Sequence, residues 1–219
     1  MDWVAGNQHH PDSTVAAEPP GPISQADLDR LALAAGRWRK VRGAARLAAF
    51  NAVSLGMIGG LALLAGVAQV LAALTTGRGG GGIVGLVLGA VLLAMAGVEH
   101  RGRLRLLRLD PAGGRILGWN QVALLAVIVL WCGGKLYAAA AGPNPYEGVI
   151  RQNPELAGML RPIIEAYATL SVVTYVSVIA VSAVFQGFCA RRYFAAARHG
   201  AATLAATEPW IVRVLRVAA

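Results

Sequence analysis

Charge is scarce in this chain. Asp, Glu, Lys and Arg make up 14% of its 219 residues, whereas 56% are hydrophobic. Soluble domains carry about 25% charged and about 45–50% apolar residues, so a fold with a fully water-exposed surface is disfavoured. Acid is scarcer still. Only 11 residues are Asp or Glu, and five of them fall before position 30. That leaves no paired carboxylates for acid–base chemistry inside the apolar stretches. Cysteine is limited to Cys132 and Cys189, which belong at different depths of a membrane and read as apolar filler rather than a disulfide. Aromatics are few, and none interleave with a basic patch on a nucleic-acid-binding motif, which excludes a nucleic-acid partner.

Reactive motifs are missing as well. The chain contains no GxxxxGK[ST], HExxH, GxSxG or CxxC. The run GRGGGG at Gly77 to Gly82 has the glycine content of a phosphate loop but no lysine. His9 and His10 read as tail residues, and His100 and His199 stand in basic stretches without a nucleophile or metal partner. No catalytic, cofactor-binding or metal-binding residue is assigned, and no cofactor is expected.

What the chain does have is apolar length. Uncharged stretches run from Leu47 to Gly77, Gly79 to Val98, Ile116 to Gly134 and Ala166 to Ala190. A helix needs about 20 apolar residues to cross about 30 Å of hydrocarbon. The third stretch falls just short, but continues uncharged beyond Lys135. The second opens with glycines, so its helix should begin near Ile83. Four helices of a soluble bundle would need polar faces, and these have almost none. The fold class expected is an all-α integral membrane protein with four transmembrane helices, arranged as two parallel helical-hairpin repeats.

The formal charge of +9 is distributed by side. Sixteen basic residues lie before the first stretch, between the second and third, or after the fourth; four lie in the other two connections. That alternation is the positive-inside pattern, and it places both termini in the cytoplasm. The expected location is a bacterial cytoplasmic (inner) membrane, with anionic lipids attracted to the cytoplasmic side.

The repeat is written twice. Arg46 to Val53 reads RLAAFNAV, and Arg115 to Val122 reads RILGWNQV, an offset of 69. Gly97, Arg101 and Arg108 recur as Gly187, Arg191 and Arg198, an offset of 90. The difference of 21 fits an enlarged outer connection from Gly142 to Pro162. Interfacial anchoring explains the arginines and aromatics, but does not require Asn51 and Asn120 in the same register. Each Asn lies five residues past its Arg, roughly 7.5 Å into the helix. At that depth an amide should face the bundle and bond another helix. Gln121 follows Asn120, and Gln186 stands at the same distance from Arg191. These amides form a candidate polar clamp or a small polar site. Tyr175 and Ser182 extend it as a stripe on the fourth span, with Ser171 and Thr174.

Other features complete the expectation. Gly56 and Gly60, then Gly81, Gly85 and Gly89, step by four and should pack the first two spans or mediate homodimerisation. Lys135 and Glu165 are candidate intramembrane charges that snorkel, pair, or serve transport. Residues 1–22 read as a disordered cytoplasmic tail. Residues 23–46, with Ser24 and Asp27 as a capping box, read as an amphipathic interfacial helix. The first hairpin spans 47–108, with spans near 47–75 and 82–98. The second spans 109–199, with spans near 116–140 and 163–190 around the outer loop 142–162. Residues 200–219 form a tail with a membrane-surface helix near Trp210 to Val217. Functionally, a non-enzymatic accessory or scaffold component leads. The alternatives are an oligomeric transporter or channel subunit, and a membrane enzyme acting on lipid headgroups through His100 or Glu99. A homo-oligomer or a membrane-protein partner fits the first two.

Overall fold

The computed structural model describes residues 24–76, 82–142 and 147–217. Six helices follow in order: α1 (Gln25–Thr76), α2 (Gly82–Leu107), α3 (Ala112–Ala141), α4 (Glu147–Gln152), α5 (Ala157–Ala205) and α6 (Pro209–Val217). A single 3₁₀ turn, Pro154–Leu156, precedes α5. There is no strand among the described residues. Helices α1, α2, α3 and α5 are each long and apolar enough to cross a membrane. The protein is a multi-pass, all-α membrane protein.

Contacts fix the directions. Gly59 approaches Leu92, whereas Gly66 approaches Gly82 and Leu86, so α1 and α2 run antiparallel. Gly102 meets Leu117, and Leu106 meets Gly113, so α2 and α3 do too. α1 packs chiefly on α2 and α3 chiefly on α5, with smaller seams between the two pairs.

Two helices are far longer than a bilayer needs. The 52 residues of α1 rise about 78 Å at 1.5 Å per residue, more than twice a hydrocarbon core of about 30 Å. The 49 residues of α5 rise about 74 Å. Their surplus lies at the basic end, where the largest buried cluster forms. Trp38, Val41 and Ala45 of α1 pack there with Leu106, Tyr193, Ile211 and Leu215.

That core takes up apolar residues of the two segments expected to lie at the membrane surface. Residues 25–46 continue α1 without a break, and their apolar face turns toward the end of α5 and toward α6. Helix α6 buries Ile211 and Leu215 in the same cluster and leaves Val214 and Val217 exposed. An Arg30–Glu208 ion pair of 2.9 Å closes this docking. The N-terminal box forms as the sequence implies: the Asp27 backbone N–H donates to Ser24 Oγ at 3.2 Å, and the Ser24 N–H returns a bond to Asp27 Oδ2 at 3.2 Å. Helix α5 begins at Ala157 and carries Pro162 inside its second turn. A proline so near the start removes a single backbone bond. The expected tail, residues 1–22, lies outside the described residues.

The α2–α3 turn is tight and unusual. Leu109 has φ 62°, the left-handed region that a leucine enters at a cost of about 1–2 kcal/mol. The Asp110 N–H donates to the Arg105 carbonyl at 2.9 Å, the long bond of a Schellman-type helix end. Leu109 is held there because its side chain is buried in the basic-end core. This turn sets the register of α2 against α3, bringing residue 99 level with residues 120 and 121.

Glycine contacts overturn part of the expected packing face. A Cβ at Gly56 or Gly60 would meet nothing within 4 Å, so neither makes the close approach. Gly59 and Gly66 do, seven residues apart and two turns along one face. On α2, Gly82, Gly85 and Gly89 face them; Gly81 lies outside the described residues. A Cβ at Gly66 would sit 2.6 Å from the Leu86 backbone nitrogen, and one at Gly89 2.6 Å from that of Leu63. Gly66→Val and Gly89→Val should therefore lower stability in detergent by about 1–3 kcal/mol. Gly56→Ala and Gly60→Ala should stay within about 0.5 kcal/mol of wild type. Melting of purified variants checks this, and equal losses at all four positions would contradict the assigned face.

Candidate functional site: a sealed polar centre

Just inside the basic end, one carboxyl group organises the bundle. Glu99 on α2 is 0% exposed. Its Oε1 accepts from Asn120 Nδ2 at 2.9 Å and from Gln121 Nε2 at 2.6 Å, both on α3. Its Oε2 accepts from the Tyr193 hydroxyl of α5 at 3.4 Å, a long bond. The Tyr193 oxygen accepts in turn from Asn51 Nδ2 of α1 at 3.1 Å. The chain Asn51–Tyr193–Glu99–Asn120/Gln121 thus touches all four long helices.

Local structure explains the convergence. Asn51 and Asn120 each sit five residues beyond the arginine that begins their apolar stretch. Glu99 sits two residues before Arg101, and Cys189 two before Arg191. Asn120 bonds Glu99 and Asn51 approaches Cys189, so each asparagine meets the α2 or α5 residue beside it in the bundle. Asn120 Nδ2 also reaches the Met95 carbonyl at 3.2 Å, tying it to the turn of α2 below Glu99. Asn51 Nδ2 lies 4.0 Å from Cys189 Sγ. Around these groups pack Ala48, Leu117 and Cys189, all fully buried. A donor here that lost its partner would find no water, at a cost of about 1–3 kcal/mol.

The other candidate residues fall elsewhere. Gln186 is buried, but its Oε1 has no partner among the described residues. The Gln121 Oε1 is likewise unpartnered. Tyr175 and Ser182 are half-buried and do not join the network. Lys135 is exposed and folds back over Trp131, its Nζ 5.0 Å from the ring centroid. This is a cation–π contact within one helix. The side chain of Glu165, and with it the expected Lys135–Glu165 pair, lies outside the described residues. His100 and His199 are exposed.

The amides stand out in the sequence, whereas Glu99 is named there only for the headgroup-enzyme alternative and Tyr193 not at all. Glu99 stands in the run GVEHRGRLRLLR, where an acid among arginines reads as solvated. Tyr193 lies beyond Arg191 and so counted as outside the span. The offset of 90 was the available signal, since it pairs Glu99 with Cys189, the residue beside Asn51.

No group of three or more His, Cys, Asp or Glu able to hold a metal ion occurs among the described residues. Chemically the centre is a closed tie. Its donors are spent on its own acceptors, and Glu99 and Gln121 are inaccessible to solvent. No protein-family model, curated protein or solved structure matches this chain, so the geometry alone carries the functional reading.

Replacing Glu99 by Leu strands three donors at once. Glu99→Leu should cost roughly 2–4 kcal/mol, and Asn120→Leu about 1–2 kcal/mol. Glu99→Gln keeps an oxygen for both α3 amides and should cost less than either. Thermal or denaturant melting in detergent ranks the three. An unchanged profile for Asn120→Leu would remove the tie.

Proposed function

We propose that this protein is a non-enzymatic accessory or scaffold component of a bacterial cytoplasmic membrane, with both termini in the cytoplasm. The observation that carries the reading is the sealed polar centre. Its polar groups bind the four spans to one another and leave no open acidic or nucleophilic group for a substrate. The extended basic-end core, built from parts of α1, α2, α5 and α6, supplies a rigid platform outside the hydrocarbon.

The same reading takes the bundle as two copies of one helical hairpin. Burial supports this. Ala44, Ala45, Ala48, Asn51 and Leu55 are buried in α1, and so are Gly113, Gly114, Leu117, Asn120 and Leu124 in α3, position for position at the offset of 69. The polar contacts support it too. Asn120 bonds Glu99, and Asn51 approaches Cys189. Each is a contact between the first helix of one hairpin and the second helix of the other.

A transporter or channel subunit is the second reading. It is favoured by a carboxyl group at the centre of four spans, since intramembrane ionisable groups commonly mark ion or proton paths. The readings separate in reconstituted vesicles. For a scaffold, vesicles containing the wild-type protein dissipate an imposed pH gradient no faster than protein-free vesicles. Faster dissipation that Glu99→Gln abolishes would replace the scaffold with a proton pathway. Catalysis on headgroups through Glu99 would require it to leave its enclosure.

Orientation has its own test. Cys132 and Cys189 are both buried, so a single introduced thiol should dominate labelling. Asn153→Cys, in the connection between α4 and α5, should react with an impermeant maleimide on intact cells. Labelling only after lysis would reverse the assigned sides.

A further inference from the structure

An open cleft of 390 Å³ lies between α2 and α3 at the basic end, lined by Val98, Arg101, Leu104, Arg105, Arg108 and Ile116. Its position is telling. Val98 ends the second apolar stretch and Ile116 begins the third, so the floor of the cleft starts at the hydrocarbon edge. Arg101 and Arg105 follow on one face of α2 and Arg108 stands just past its last residue, at steps of four and three. They rise from about 4.5 to about 15 Å beyond Val98.

The three guanidinium groups are uncommitted. Each arginine is exposed, and none makes an ion pair or side-chain hydrogen bond to a described residue. No acidic residue lines the cleft. Glu99, on the same helix, is enclosed in the polar centre, and Asp110 accepts the Ala112 N–H at 2.9 Å. The cleft therefore offers unneutralised positive charge beside an apolar floor, between two spanning helices. Basic pockets of that kind on membrane proteins hold anionic headgroups.

We propose that this cleft binds an anionic phospholipid bearing two phosphates. Val98, Leu104 and Ile116 receive the glycerol and the start of the acyl chains. The arginines take the phosphates. Arg101 and Arg108 are seven residues apart, about 10.5 Å along the helix. Three arginines spread over that length present more donors than one phosphate uses, and two phosphates joined by a short linker match them, each in the forked geometry arginine favours. This assignment rests on the membrane-spanning fold and is independent of the scaffold reading.

The test uses the full chain reconstituted in phosphatidylcholine vesicles. These are doped with cardiolipin and phosphatidylglycerol at equal phosphate, and bound lipid is counted by native mass spectrometry after gentle release. Wild type should retain cardiolipin in preference to phosphatidylglycerol. R101Q/R105Q should lose roughly thirtyfold in that retention. R191Q/R198Q removes the same charge outside the cleft and should keep it. Melting should match across all three, because every altered arginine is exposed. Equal loss in both double variants would reduce the effect to net charge and overturn the site. Absence of a cardiolipin preference would overturn the two-phosphate assignment. Displacement of the lipid by inorganic pyrophosphate, with pyrophosphate binding to wild type but not to R101Q/R105Q, would give the cleft to a soluble phosphate ligand instead.

Discussion

Lipid tails are as apolar as the side chains that face them, so the hydrophobic effect does not hold spanning helices together. Every other feature of this bundle answers that constraint. Leu61, Leu64, Leu71 and Leu74 of α1, and Val172, Val181 and Val184 of α5, remain exposed along the spans. Solvent water would make that arrangement untenable, and hydrocarbon makes it neutral. Cohesion must come from close backbone approach and from polar bonds. The structure places one of these toward the far end of the first hairpin and the other near the basic end. Gly66, Gly82, Gly85 and Gly89 let α1 and α2 touch at backbone distance. Glu99 and its donors tie all four long helices at the opposite level.

Beyond the basic edge the solvent changes and so does the physics. There α1 and α5 outlast the membrane, and burial of apolar surface again becomes favourable. Trp38, Leu106, Tyr193, Ile211 and Leu215 form an ordinary core. Tyr193 belongs to both regimes: its ring packs in that core while its hydroxyl bridges Asn51 and Glu99. The polar centre is thus braced from one side by a water-driven core. This accounts for its order despite bonds that are individually weak in a membrane.

Some of this was legible in the sequence and some was not, for physical reasons. The spans were legible because length and apolarity are one-dimensional properties. Asn51, Asn120 and Gln121 stood out because an amide inside an apolar run must find a partner. The partner did not stand out, because a single acid among arginines has a cheap alternative in water. Only the register of α2 on α3, fixed by the left-handed turn at Leu109, denies Glu99 that alternative. The glycine face failed for a different reason. α1 carries Gly56, Gly59, Gly60 and Gly66, and helical spacing allows more than one pair to share a face. Which pair meets α2 depends on the rotation of the whole helix. For residues 25–46 and α6, amphipathicity reports that an apolar face exists, not what covers it, and the structure puts Trp38, Val41, Ile211 and Leu215 in one cluster.

If the two hairpins are copies of one ancestor, the polar centre shows where they had to diverge. Matching positions on α2 and α5 carry Glu99 and Cys189, each within reach of an Asn from the opposite hairpin. A second carboxyl group at position 189 would put two buried acids at one level of the bundle. Like groups so placed cannot both ionise, and each needs its own donors. The donors are already allocated: Asn120 and Gln121 bond one oxygen of Glu99, and Asn51 is committed to Tyr193. The first helices diverge to match. Gln121, which donates the shortest bond to Glu99, corresponds at the offset of 69 to Ala52 in the other hairpin, where there is no acid to serve. A duplicated bundle can stay symmetric in its buried small and apolar positions, because packing tolerates repetition. It cannot stay symmetric at a buried acid, because the hydrogen-bond donors suffice for one.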